Sequence, residues 1–188
     1  MKPRVLLDAN VLYGQTPRDT FMHLATDEVI EARWTNRIHE EWISALLERR
    51  SDLTREGLEK VRALMDRHAR DCLVEGYEPL TETLVLPDPD DSHVLAAAIH
   101  AQAPIIVTFN LKDFPVMSLA PFSIQAQHPD EFLCQLLRDE TTPVLAAIRG
   151  QRAQLRRPPR TAEEHLETLR AHGLPRFASA LEPFQPQL

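Results

Sequence analysis

The chain contains few of the residues that mark several large classes of protein. Only two of its 188 residues are cysteine, Cys72 and Cys134, with no CxxC spacing, so a zinc site is not expected and both thiols should be reduced. Its five glycines form no GxGxxG or GxxxxGK pattern, which excludes the usual loops that cradle nucleotide phosphates. No apolar run approaches the roughly 18 residues of a membrane span, and the start of the chain does not resemble a signal peptide. We therefore expect a cytoplasmic protein with no membrane association.

Charge is unevenly distributed along the chain. The formal net charge of −7 argues against a simple nucleic-acid binder, which is usually basic. Residues 75–91 contain six acids and no Lys or Arg, whereas residues 149–160 contain arginines and no acid. The arginines are Arg149, Arg152, Arg156, Arg157 and Arg160. This split predicts either a cation-binding region and a phosphate-attracting surface, or simply two solvated surfaces of opposite sign.

Short apolar runs alternate with helical patterns through most of the chain. Residues 5–7 and 105–107 are continuous aliphatic runs, which are typical of parallel strands buried on both faces. Further strands are predicted around residues 33–34, 83–86 and 122–124, and the main helices around residues 36–50, 53–72, 94–101 and 130–138. Strands that alternate with helices predict an α/β fold.

The character of the sequence changes near residue 141. The pattern predicts an α/β domain over residues 1–140 and a small helical extension over residues 141–188. Thr161 and Glu164 form a capping-box pattern at the start of one helix of this extension. The last residues, which include three prolines from Pro175 onward, are expected to be loosely held.

Carboxylates follow the two apolar runs at the places where strands should end. Asp8 comes directly after the first run, and Asp113 follows the second. Ligand sites in open α/β sheets form beyond the carboxyl ends of the strands, so these acids are expected to share one site. Glu40 or Glu41 lies on the helix after residue 35, and helical position alone does not decide between them.

A third group of acids, at positions 88, 90 and 91, precedes the alanine-rich helix. Each acid also has an ordinary structural role open to it, as a helix cap, a surface charge or a turn residue. Several carboxylates in one cleft repel each other unless cations neutralise them. Mg²⁺ or Mn²⁺ is the natural partner, because these cations prefer oxygen ligands and can assist phosphodiester hydrolysis.

Four segments together resemble a PIN domain. They are Leu7-Asp8-Ala9-Asn10-Val11-Leu12, the stretch from Arg33-Trp34-Thr35 to Glu41-Trp42, Asp88-Pro89-Asp90-Asp91-Ser92-His93-Val94-Leu95-Ala96-Ala97-Ala98, and Ile106-Val107-Thr108-Phe109-Asn110-Leu111-Lys112-Asp113-Phe114-Pro115. Their order and spacing are similar to those of toxin ribonucleases from VapBC-type toxin–antitoxin pairs. The resemblance covers roughly residues 1–128.

The resemblance implies a three-layer α/β/α fold around a five-stranded parallel sheet and RNA cleavage that depends on Mg²⁺ or Mn²⁺. It also implies an RNA substrate, a cognate antitoxin protein as partner and a possible homodimer. The family's metal ligands and catalytic acids map to Asp8, Glu41, Asp91 and Asp113. Asn10, Thr108, Asn110 and Asp88 map to supporting positions. Many family members carry an aspartate where this chain has Asn110, which predicts weaker binding of a second metal ion.

Other interpretations remain open at this stage. Arg149, Arg152, Arg156 and Arg157 are candidates for binding the RNA backbone, although the same residues could dock an acidic partner. His93 is expected to have a packing or surface role rather than to touch substrate. The alternative functions are a PIN-like scaffold that binds RNA or protein with weak or no cleavage, and a different phosphoryl-transfer enzyme such as a phosphatase or DNA nuclease.

Overall fold

The computed structural model describes residues 2–155 and 159–188. Within them, four strands form one parallel sheet in the order β2–β1–β3–β4. The strands are β1 (Arg4–Leu7), β2 (Glu31–Arg33), β3 (Ile105–Val107) and β4 (Gln125–Gln127). The helices before β4 are α1 (Ala9–Tyr13), α2 (Gln15–Thr26), α3 (Asn36–Arg49), α4 (Arg55–His68), α5 (Glu78–Thr81), α6 (Ser92–His100) and α7 (Val116–Leu119). The helices after it are α8 (Pro129–Asp139), α9 (Thr141–Gln154), α10 (Ala162–Ala171) and α11 (Pro175–Leu181). Short 3-10 turns span Pro89–Asp91, Leu111–Asp113, Ala120–Phe122 and Glu182–Gln187.

The central strands β1 and β3 confirm the α/β prediction. Val5, Leu6 and Leu7 are each 0% exposed, so side chains on both faces of β1 are covered by helices. Leu7 pairs with Val107, which brings the two strand ends level with each other. The carboxyl edge of the sheet is therefore where the chain leaves β1 and β3 side by side.

The prediction of a strand at residues 83–86 was wrong, and so was the prediction of a five-stranded sheet, because the described residues form four strands. The N–H groups of Thr83 and Leu84 donate back into the preceding turn, to the carbonyls of Leu80 (3.0 Å) and Thr81 (3.4 Å). Val85 is 84% exposed, and Pro87 has no N–H to give to a sheet. Turn hydrogen bonds and proline together keep this segment out of the sheet.

The edge of the sheet next to β2 instead carries a single parallel bridge between Trp34 and Leu73. The N–H of Trp34 donates to the carbonyl of Cys72, and the N–H of Val74 donates to the carbonyl of Trp34, both at 2.9 Å. The two remaining strands that were predicted from short runs are present but shifted, to residues 31–33 and 125–127. Short strands of three residues give weak local signals, which explains the shifts.

The C-terminal helices pack onto the α/β part of the molecule. Thr20 on α2 and Gln151 on α9 are both buried and hydrogen-bond to each other through their side chains. The tail is not loosely held as expected: Leu188 is 6% exposed, and its carbonyl accepts a hydrogen bond from Arg152 Nη2 at 3.0 Å. The boundary between residues 140 and 141 stays a prediction. Across the described residues, no helix combines the length and the apolarity that a bilayer crossing requires.

Candidate functional site

Asp8 is fixed at the carboxyl end of β1 by three hydrogen bonds. Its Oδ1 accepts from the N–H of Ala9 at 2.6 Å, and its Oδ2 accepts from Asn10 Nδ2 at 2.5 Å and from Thr108 Oγ1 at 2.7 Å. The residue is 5% exposed, and burial raises the pKa of its carboxyl although the bonds from Thr108 and Ala9 oppose the rise. The chain therefore holds the carboxylate of Asp8 in a fixed orientation, where burial makes its charged form less favourable than in water.

The supporting residues Asn10 and Thr108 join the loop after β1 to the loop after β3. Asn10 Nδ2 also lies 2.9 Å from Thr108 Oγ1, and Asn10 Oδ1 accepts from the N–H of Phe109 at 3.0 Å. The N–H of Asn110 donates to Thr108 Oγ1 at 3.0 Å. Because residues about 100 positions apart share these bonds, the two loops hold each other in place.

Three carboxylates from two segments converge beside Asp8. Asp88, Asp91 and Asp113 each present an oxygen, and these oxygens lie within 4.8 Å of one another. Burial raises the pKa of Asp91 to about 6, and the negative charges of Asp8, Asp113 and Asp88 add to the rise. Asp88, predicted as a supporting residue, thus stands among the clustered acids.

The neighbours of these acids explain their orientations. Asp88 accepts from the N–H of Asp90 at 3.0 Å and so shapes the turn before α6. Asp91 occupies the N-cap position of α6, but its side chain makes no capping hydrogen bond to that helix. Its carboxylate is therefore left for the cluster. Asn110 Nδ2 donates to Asp113 Oδ2, so the amide of Asn110 supports the neighbouring carboxylate.

The structure separates Glu41 from Glu40. Glu40 pairs with Arg55 (3.1 Å) and Arg62 (3.2 Å) of α4. Glu41 instead lies 2.9 Å from His93 Nε2, and its charge contributes to the raised pKa of Asp8. The first acid therefore belongs to the packing of α3 on α4. The second lies near enough to Asp8 for its charge to act on that carboxyl, but it is not one of the three acids whose oxygens lie within 4.8 Å of one another.

His93 and Arg37 are the neighbours of the site that sequence reasoning did not assign to it. Arg37 Nε donates to Glu41 Oε1 at 3.1 Å, and Arg37 Nη2 donates to the carbonyl of Asp90 at 3.1 Å. His93 is 2% exposed, consistent with packing, but its Nε2 contacts Glu41, and its Nδ1 is buried without a partner among the described residues. The i,i+4 spacing of Arg37 and Glu41 and the closeness of His93 to Asp91 in sequence were the available signals.

The arginines predicted to bind RNA are only partly described. Arg149 is exposed on α9. Arg152 donates to the carbonyls of Arg160 (2.8 Å) and Leu188, so its guanidinium holds the C-terminal helices together. Arg156 and Arg157 lie outside the described residues. A role of this cluster in RNA binding stays a prediction.

Replacing Asp91 with asparagine is expected to stabilise the metal-free protein at pH 7. The raised pKa means that the folded state holds this proton more tightly than the unfolded chain, so stability falls as pH rises from about 4 through about 6. The amide removes both the cost of burying the charge and the repulsion from the neighbouring acids, together worth on the order of 1 kcal/mol after solvent screening, or about 2–4 °C in Tm. Thermal unfolding at pH 5 and pH 7 checks this. A variant whose Tm rises equally at both pH values would show that the charge of Asp91 is not the cause.

Comparisons with known proteins divide the chain into two matched regions. A model described as the PIN domain matches residues 4–112, and a model described as the VapC50 C-terminal domain matches residues 129–183. A protein of Mycobacterium tuberculosis named "Putative ribonuclease VapC50" is 42% identical over 89 residues, which make up 47% of this chain and 52% of that protein. No solved structure matches the chain significantly.

Proposed function

Because the chain belongs to the PIN domain family, we propose that it is a metal-dependent endoribonuclease of the VapC toxin type. The observation that carries the proposal is the convergence of Asp88, Asp91 and Asp113 beside Asp8 at the carboxyl edge of the sheet. A relative named as a ribonuclease supports RNA as the substrate class. The resemblance to toxin–antitoxin pairs supports a protein antitoxin as the partner that silences the activity.

The donor set fits a hard divalent cation. All the clustered groups are carboxylates. Burial raises the pKa of Asp91 and the neighbouring negative charges add to the rise, and a bound cation would relieve both effects. Oxygen-only donors favour Mg²⁺ or Mn²⁺ over zinc. We propose Asp8, Asp91, Asp113 and Glu41 as the residues that hold it, with Asp88 beside them. When bound, such a cation supplies Lewis-acid stabilisation of the charge that develops on a phosphodiester and eases deprotonation of water.

The residues of the chain provide orientation for this chemistry. Asn10 and Thr108 hold one oxygen of Asp8, which fixes the direction in which its remaining lone pairs point. His93 and Arg37 hold the carboxylate of Glu41 near Asp8, and Arg37 also anchors the turn before α6. We assign both residues a positioning role toward Glu41.

Removal of divalent cations is the direct test. Purified protein incubated with RNA and Mg²⁺ or Mn²⁺ is expected to cut internal phosphodiester bonds, and chelation should lower the rate by at least about 100-fold. Adding the cation back in excess of chelator should restore the rate. Parallel reactions with DNA and with a phosphomonoester distinguish a ribonuclease from a phosphatase or a DNA nuclease. Cleavage that persists in chelator, or hydrolysis of the phosphomonoester in preference to RNA, would contradict the proposal.

Two observations favour the second candidate function, a scaffold with weak or no cleavage. The carboxylate of Glu41 is already paired with Arg37 and His93, and the position of a further family acid is held by Asn110. A scaffold would bind RNA with the same affinity in Mn²⁺ and in chelator and leave it intact. Measuring binding and cleavage on the same RNA therefore distinguishes the two functions.

A further inference from the structure

The turn between α10 and α11 lies against the loop that follows β3. Gly173 in this turn has φ +86°, and a Cβ added to it would lie 2.9 Å from Cε1 and 3.3 Å from Cζ of Phe109. Real Cβ atoms essentially never come so close to another heavy atom. The phenyl ring thus fills the space that any other residue at 173 would need.

The same ring is held on another side by His128. The two ring centroids are 4.9 Å apart and their planes meet at 87°, an edge-to-face contact. His128 is itself fixed as the N-cap of α8, where its Nδ1 accepts from the N–H of Asp130 at 3.2 Å. Phe109 therefore lies between two elements of the C-terminal half.

The backbone around Phe109 belongs to the hydrogen-bond network of the acidic site. The N–H of Phe109 donates to Asn10, whose amide donates to Asp8. The next residue, Asn110, donates its N–H to Thr108 and its side-chain amide to Asp113. A shift of Phe109 would move the groups that orient Asp8 and Asp113.

The glycine turn cannot easily move away. The N–H of Leu174 donates to the carbonyl of Leu169 at 3.0 Å, and Leu174 is 0% exposed. Two residues further on, the carboxylate of Asp130 accepts from the N–H groups of Arg176 (3.0 Å) and Phe177 (2.7 Å). Strain introduced at Gly173 would consequently pass to the phenyl ring, which is only partly buried.

We propose that Phe109 is a positioning residue through which the C-terminal helices set the geometry of the acidic site. This inference rests on the proposed function for its activity measurement, but its structural part can be measured without RNA. The C-terminal half then acts on the reaction through the contacts that Gly173 and His128 make with the ring of Phe109, rather than through contact with substrate.

Gly173→Ala tests the proposal against a matched control, Gly76→Ala. Both glycines have positive φ (+86° and +78°), but a Cβ at Gly76 meets nothing closer than 3.8 Å, at the ring of His100. Gly173→Ala is expected to lower kcat for RNA roughly ten- to a hundredfold with KM within about threefold, because small misplacements of reacting groups are costly. Gly76→Ala shares the backbone strain and should keep kcat within about twofold of the wild type.

Amide hydrogen exchange gives a readout that needs no activity. In Gly173→Ala the amides of Phe109 and Asn110 should exchange at least about tenfold faster, whereas the amides of β3 stay protected. Phe109→Leu, which lacks Cε1 and Cζ, should show the same local acceleration without any change at the glycine. This second variant keeps the test decisive if Gly173→Ala fails to fold.

Rescue completes the experiment. In the Phe109→Leu background, Gly173→Ala should lower kcat no more than Gly76→Ala lowers it in the wild type. The reason is that Cε1 and Cζ of Phe109, which the added Cβ would meet, are absent from leucine. Three results would overturn the proposal. The first is an equal loss of kcat in the two glycine variants, and the second is a further loss of kcat when Gly173→Ala is added to Phe109→Leu. The third is unchanged exchange of the amides of Phe109 and Asn110. If the wild-type protein cuts no RNA, the proposed function fails, and the exchange results still decide the positioning role.

Discussion

Asp8→Asn is expected to abolish RNA cleavage, lowering kcat/KM by at least about 10³, which corresponds to about 4 kcal/mol of transition-state stabilisation. Asparagine keeps the size of the side chain but removes its negative charge. Asn10 and Thr108 orient the carboxylate of Asp8 through hydrogen bonds, so another carboxylate of the site cannot take over its position. Burial raises the pKa of Asp8, so losing the charge favours the fold, whereas the single oxygen of asparagine cannot accept every bond that the two oxygens of Asp8 accept. Thermal unfolding measures the balance of these two effects.

The measurement is single-turnover cleavage of a defined RNA in saturating Mn²⁺, with thermal unfolding recorded in parallel. Asp19→Asn is the matched control, since burial also raises the pKa of Asp19, which lies on α2 beside Arg18. This control should cut RNA at the wild-type rate. An Asp8→Asn protein that retains more than about a tenth of wild-type activity would remove Asp8 from the proposed ligand set.

Asp130→Ala is expected to lower the free energy of unfolding by about 2–4 kcal/mol, or roughly 5–15 °C in Tm. Asp130 is 3% exposed, and its two oxygens accept the first N–H groups of α11, from Arg176 and Phe177. Alanine leaves these two donors without acceptors at a buried junction. The loss should fall mainly on the docking of α11 against α8.

Glu131→Ala is the neighbouring control for this prediction. Its carboxylate pairs with the side chain of Arg176 at 2.8 Å, but both side chains are more than half exposed. Exposed ion pairs contribute about 0–1 kcal/mol, so Tm should change by no more than about 3 °C. Equal shifts for the two variants would mean that the bonds from Asp130 to α11 do not hold the C-terminal helices.

Local signals in the sequence were sufficient for the centre of the fold. The aliphatic runs before Asp8 and Thr108 indicated buried parallel strands, and both strands are present and adjacent. The carboxyl-edge argument then placed Asp8 and Asp113 in one region, and burial and mutual charge effects on Asp91 agree with that placement. The capping box of Thr161 and Glu164 is also formed, because both of its bonds are local.

Contacts between distant segments were beyond such signals. The choice between Glu40 and Glu41 depends on where α4 packs, and no helical pattern in α3 contains that information. Asp130 lies at the start of the helix predicted over residues 130–138, where an acid commonly caps its own helix. In the structure His128 caps that helix, and the side chain of Asp130 accepts from the first N–H groups of α11, 46 positions later. The contact of Gly173 with Phe109 likewise exists only once the C-terminal helices have docked.

The brevity of the edge strands has a consequence for how two copies could associate. β4 has three residues, and the opposite edge beside β2 is partly occupied by the Trp34–Leu73 bridge. An edge of this length offers few free N–H and C=O groups, so joining two sheets edge to edge would gain little and aggregation by strand addition is disfavoured. A dimer of this protein is therefore expected to form without an increase in β-sheet content.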